Sequence, residues 1–273
     1  MPEHSDQERV ADLILEDEQL IEAMLSDERL FQRLMGEADV PGVDPDRPRS
    51  AASARASDEV LLFVSPWLFF TVLLQRARRD LERETFTTER RHQQKVLLFD
   101  TDQVIELLEQ ESLRDYLAAM LASFTRIQSR TMAVRVRQGL WHKYRISDLN
   151  VESMVRYCQA LDEDLRFEPY KRIADVCLFM AGMFPDYIEA QHRYPLSRRI
   201  RPRMKGRICK SREDYEAHGR AFYRLAAEHE RAGVEGLDGI LATLSERFIL
   251  AEKPLSFVAD RYLHFTRHRL FEL

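Results

Sequence analysis

Asp260, His264 and His268 stand at i, i+4 and i+8 near the C-terminal end of this 273-residue chain. On one continuous helix that spacing lines a carboxylate and two imidazoles along a single stripe. An i, i+4 His pair can hold a divalent metal, and the carboxylate can complete or orient its ligand set. Arg261, Arg267 and Arg269 put positive charge around the same stripe, which opposes a cation. A solvent-facing pair of imidazoles is the expected state, and no metal or other cofactor is expected. His218 and His229 are eleven residues apart, about 16 Å along a helix, too far to share one ion.

Asp175 is the most suggestive single carboxylate. It lies in RIADVCLFMAGMF among Ile173, Val176, Cys177, Leu178 and Phe179. A carboxylate so placed is either paired or raised in pKa. Lys171, four residues before it, and Arg172 are the cations at hand, so a buried ion pair or a helix-to-helix hydrogen bond is expected. Cys158 and Cys177 have apolar neighbours and read as core thiols. With Cys209 they form no CxxC pair, which excludes a disulfide framework and a Cys-rich zinc site. There is no P-loop, GxGxxG, GxSxG or HExxH. For want of a clustered acid, base and nucleophile, a helical metalloenzyme ranks third among the functions considered.

The cations are the other chemical feature. Between Tyr116 and Ser147 there is no acid, while Arg126, Arg130, Arg135, Arg137, Lys143 and Arg145 are all basic. His192–Arg212 also lacks acids and contains Arg198, Arg199, Arg201, Arg203, Lys205 and Arg207 among its nine cations. Pro195, Pro202 and Gly206 keep that stretch from being a helix. Such blocks form interaction surfaces or solvated connectors rather than core. They suit phosphates, an anionic ligand, or the acidic start of the chain. Residues 1–50 hold 14 acids against 5 bases, although the net charge of the whole is only −5. Tyr194 is the one ring in the basic loop, which argues against a stacking platform for single strands.

The elements that position these residues are mostly helical. With 45% apolar and 32% charged residues the chain can bury a core, and 9 Gly with 10 Pro argue against an all-β fold. Residues 1–36 read as an acidic helical arm with Leu13, Ile14, Leu20, Ile21, Met24, Leu25, Phe31 and Leu34 at helical spacing. Residues 37–58 are a Pro- and small-residue-rich linker. A helix should start at Ser65-Pro66, as N-cap and N1, and run to about 84. A short strand follows at 95–99. Helices follow from Thr101 or Asp102 to Leu108 and from Ser112 to about Ile127. Period-two alternation on both sides of Gln138-Gly139 predicts a hairpin over 132–146.

Helix, strand, helix, helix, hairpin is the element order of a winged helix, so residues 59–147 are expected to hold a winged-helix-like unit (66–147) with a basic wing. Its third helix offers Arg114, Asp115, Ala118, Ala119, Ala122 and Ser123, a face too poor in base-reading side chains for sequence-specific readout. The region 148–273 reads as helical, over about 151–165, 169–183, 213–231, 237–250 and 254–270, with the basic loop at 192–212.

The apolar run Val60–Gln75 is 16 residues long, short of the roughly 20 that span a bilayer, and is expected as a buried helix. The start has neither a basic n-region nor a long apolar stretch, so no signal peptide is expected, and the cytoplasm is the expected compartment.

YKRIADVCLFMAGMFPDYI and SREDYEAHGRAFYRLAA resemble a pattern of uncharacterised, helical bacterial proteins. The positions that carry it are Tyr170, Arg172, Ala174, Asp175, Leu178, Phe179, Gly182, Phe184, Pro185, Tyr215, Gly219 and Tyr223. Ala174 stands where similar sequences have Gly, which implies less room for close helix approach. The resemblance covers about a fifth of the chain and implies no catalytic residue.

The reading is therefore a mainly α protein with a small β element. The leading expectation is a non-enzymatic adaptor or regulatory protein that acts through protein–protein contact or self-association, with a basic surface. The alternative is a nucleic-acid-binding protein that uses the wing (126–145) and the loop (192–212).

Overall fold

The computed structural model describes residues 21–22, 25–26, 31, 65–83, 100–126, 149–188, 211–264 and 267–271, together with the backbone alone at 87–91, 94–98, 129–137 and 140–147; of 267 and 269 too only the backbone is described. The fold is mainly α. Helix α1 (Pro66–Leu81) starts as its sequence requires: Ser65 accepts a hydrogen bond from the Leu68 N–H at 3.1 Å, and Pro66 takes the first helical position. Residues 68–74 are buried without interruption, so the most apolar run of the chain is a core helix. Among the described residues no helix is long and apolar enough to cross a membrane.

Two backbone ribbons flank the next helices. Strand β1 (Thr87–Arg91) pairs antiparallel with β2 (Gln94–Leu98), and β3 (Ser129–Arg137) pairs with β4 (Leu140–Ser147) with a bulge between Arg135 and Arg137. Between them lie α2 (Thr101–Glu109) and α3 (Glu111–Ser123). Strand β1 is not expected from its residues, because TTERR is polar throughout. Pairing with β1 also removes the winged-helix arrangement expected over 66–147. A winged helix joins the strand after its first helix to the wing, but here β2 and the β3–β4 hairpin belong to separate two-stranded sheets. Helix α3, the would-be recognition element, buries Leu113, Leu117, Ala118, Met120 and Leu121 and packs on α1.

The second half is built around α5 (Phe167–Met183), which is buried at every residue from Ile173 to Met183. A helix apolar all round must be enclosed on all sides. Its neighbours are α4 (Val151–Gln159), α6 (Arg212–Ala227) and α9 (Phe248–Arg261). Two glycines set the spacing. A Cβ at Gly182 would lie 2.7 Å from Leu255 Cβ, and one at Gly219 would run into the buried Phe248 ring. Phe124 stacks on Phe179 at 4.1 Å and so joins the end of α3 to α5.

Several helix limits differ from expectation. The predicted helix 151–165 stops at Gln159, and a 3-10 turn follows at Glu163–Leu165. That at 213–231 divides into α6 and α7 (Glu230–Val234), with His229 capping α7. After α7, Gly236 takes φ +67 and the Leu237 N–H bonds to the Ala232 carbonyl, a C-terminal cap that only glycine adopts without strain. Helix α8 (Asp238–Glu246) ends one residue before α9, which runs through Pro254 instead of starting there. Phe248, Ala251, Leu255 and Val258 keep a buried stripe across the proline, and that packing outweighs the missing N–H. A last short helix is α10 (Arg267–Leu270).

The arm is described at five positions. Ile21, Leu25 and Phe31 are buried in the core, Phe31 edge-on to Tyr262 at 5.5 Å and under the Arg76 guanidinium at 4.9 Å, while Glu22 pairs with Arg79 at 2.9 Å. The arm thus meets the basic end of α1 in its own chain. The linker expected at 37–58 lies outside the described residues.

Candidate functional site

Asp175 sits on the central helix, 3% exposed. Its Oδ1 accepts hydrogen bonds from the Tyr116 hydroxyl at 2.6 Å and the Tyr223 hydroxyl at 2.9 Å, and its Oδ2 faces Lys171 Nζ at 3.8 Å. The expected ion pair and helix-to-helix hydrogen bond are both present. The two tyrosines come from α3 and α6, so one carboxylate ties three helices together. Burial first, and then the charge of Asp175, push both tyrosines well above the ordinary tyrosine range. Each stays a neutral donor, and neither is a base or nucleophile near neutral pH.

Asp175, Tyr116 and Lys171 also line a cavity of about 740 Å³. Its walls are Tyr116, Ala119, Met120 and Ser123 of α3, Met154 and Tyr157 of α4 with Leu161 after it, and Pro169, Lys171 and Arg172 of α5. Leu237, delivered by the Gly236 turn, completes the apolar side. Arg126, Leu165 and Glu168 stand at the exposed rim. The volume falls within the range of small-molecule sites, as does the lining, mostly apolar with a few placed polar groups. Arg172 is held in position: it donates to Ser123 Oγ at 2.7 Å, with its guanidinium 3.9 Å from the centre of the Phe124 ring. Lys171 lies 5.7 Å from the centre of the Tyr116 ring.

The other residues singled out by sequence are scattered. The metal stripe does not form, because α9 ends at Arg261, where Tyr262 turns in and donates to Asp80 Oδ2 at 2.7 Å. Asp260 is therefore on α9, His264 beyond its end, and His268 on α10, 5.5 Å from Phe184. No group of three or more His, Cys, Asp or Glu that could hold a metal occurs among the described residues. His218 lies on α6 and His229 caps α7, with ring nitrogens against the carbonyls of Asp214 and Glu163. Cys158 and Cys177 are buried, as core thiols should be, and burial raises Cys158 to about 11.

Of the candidate anion-binding cations, Arg126 reaches the cavity rim. Arg130, Arg135, Arg137, Lys143 and Arg145 fall on the β3–β4 hairpin, and Arg198, Arg199, Arg201, Arg203, Lys205 and Arg207 lie outside the described residues. Arg212, the last cation of the basic stretch, is inside α6 and bonds the fully buried Glu252 at 2.7 Å. Tyr116, Met120, Met154 and Tyr157 are among the site residues that sequence reasoning missed. Only the recurrence of Tyr223 in the same pattern as Asp175 hinted at the network. Comparison of the chain with protein-family models, with curated proteins and with solved structures finds no match.

Proposed function

We propose that this chain is a non-catalytic regulatory binding protein that takes a small molecule between α3, α4 and α5 and acts through contacts with a protein partner or a second copy in the cytoplasm. The observation that carries the reading is the state of Asp175. It is the buried carboxylate of the cavity, and its Oδ1 is already engaged by two tyrosine hydroxyls whose protons are held tightly. General acid–base or nucleophilic work needs a group poised to exchange a proton with substrate. A carboxylate fixed between neutral donors supports a rigid lining instead.

The test is a small-molecule library read by saturation-transfer NMR against the full chain and against Ala119→Trp, a change at the exposed wall that blocks the cavity. The reading expects compounds whose signal falls with the variant and that are recovered chemically unchanged. Hits indifferent to the variant, or hits turned over to products, contradict it.

One observation favours nucleic acid as a second reading. The register of the hairpin puts positions Arg135, Lys143 and Arg145, with Trp141, on one face, because partners Arg135↔Trp141, Ala133↔Lys143 and Thr131↔Arg145 alternate with the others. A basic face with one ring suits a phosphate backbone. Binding of a random duplex that weakens steeply with salt, and less steeply in Arg135→Glu/Arg145→Glu, supports this reading. No retardation at low salt removes it.

A further inference from the structure

We infer that the cavity selects an organic anion with an apolar body, its carboxylate or phosphate held between Arg126, Lys171 and Arg172. This rests on the cavity being a binding site and adds the class of ligand. The charge arithmetic of the lining supports it. Three cations stand against two acids, and both acids already face positive or donor groups of the protein. Asp175 is engaged by Tyr116, Tyr223 and Lys171, and Glu168 lies 3.8 Å from Arg231. The lining side chains therefore sum to one net positive charge. Arg172 is braced by Ser123 and Phe124, so its guanidinium is held in place before a ligand arrives. A guanidinium so fixed loses little freedom on meeting a carboxylate or phosphate.

The rest of the wall is apolar. Met120 and Met154 are almost fully buried, and Leu161 and Leu237 add further apolar surface to the lining. Methionines adapt to the shape of an alkyl or aryl group. A free inorganic ion leaves that surface wet, and a neutral hydrocarbon makes no use of the charged side chains. The two halves together select an amphipathic acid.

The probes are octanoate, 1-octanol and octylammonium, which share one alkyl chain and differ in charge. The readout is the methionine methyl resonances of Met120 and Met154 in the full chain, which report occupancy whatever the headgroup. Octanoate should move both methyls and bind at least tenfold more tightly than the other two. Arg126→Met, at the exposed rim, should reduce that preference several-fold while the melting temperature stays unchanged. Octyl phosphate replaces octanoate in a fourth arm to separate the two headgroups. If octanol or octylammonium binds as well as the anions, the assignment of an anion is overturned while the cavity remains a binding site. If no probe moves either methyl, both the cavity reading and the ligand class are overturned.

Discussion

The hydroxyl of Tyr223 and Oδ1 of Asp175 meet at 2.9 Å across the interface of α5 and α6. Both groups are buried, so the bond is a constraint on helix placement as well as a contact. Deleting the Tyr223 hydroxyl leaves Oδ1 with the Tyr116 hydroxyl alone, and a buried hydrogen bond to a charged group contributes about 1–3 kcal/mol.

Tyr223→Phe should therefore lower the unfolding free energy by about 1–3 kcal/mol. Tyr116→Phe should act in the same direction. Because both hydroxyls serve one oxygen, the double variant should depart from the sum of the singles. Urea denaturation of the four proteins measures this. Strict additivity contradicts a shared acceptor.

The same tyrosines give a pH dependence of known sign. Their folded pKa values are raised, so the native state keeps protons that the unfolded chain releases near pH ~10. The stability they contribute is complete below that pH and is lost as pH rises above it toward the folded values. Unfolding free energy followed from pH 8 to 11 should fall more gently in Tyr116→Phe/Tyr223→Phe than in the unaltered chain. Cys158 and Tyr262, also raised by burial, contribute equally to both curves. Parallel curves contradict the account.

Gly182 and Gly219 should fail in different ways when replaced by Ala. At Gly182 the obstacle is Leu255 Cβ, which belongs to the root of the side chain, so α5 and α9 must separate. At Gly219 the obstacle is the tip of the Phe248 ring. Overpacking of this kind costs about 1–3 kcal/mol. Phe248→Leu should restore part of the loss in Gly219→Ala, while Leu255→Ala should not rescue Gly182→Ala. Thermal melts of the single and double variants decide it; equal rescue at both sites contradicts the geometry.

Of the described arm residues, Phe31 rather than the charged Glu22 is expected to anchor the arm to the fold. Phe31→Ala should destabilise the chain by about 3–5 kcal/mol, the usual range for a buried phenylalanine. Glu22→Gln, which removes an exposed ion pair with Arg79, should leave the melting temperature unchanged. A large effect of Glu22→Gln with none of Phe31→Ala reverses the assignment.

Much of the helical frame was legible in residues. Ser65-Pro66 announced α1, and the apolar run after it was buried. Asp175 reads from its apolar neighbours as a carboxylate either paired or raised in pKa, with Lys171 and Arg172 at hand, and Lys171 does face it. Its tyrosine partners were not legible, because they lie 59 and 48 residues away and nothing local selects them. The His stripe failed because Tyr262 has a distant partner in Asp80, a tertiary contact that ends the helix before the second ligand. Pro254 misled for the opposite reason: packing on both sides kept a helix going where local chemistry argues for a start. The winged-helix order failed on strand pairing, since element order does not say which strand β2 will join.

The most direct measurement is a crystal structure of the full chain with the strongest hit from the library. The account predicts the ligand between α3, α4 and α5, with the Tyr116 and Tyr223 hydroxyls still on Asp175 Oδ1 near the 2.6 and 2.9 Å seen here. A ligand bound elsewhere, or Asp175 released from its tyrosines to bond the ligand itself, contradicts it.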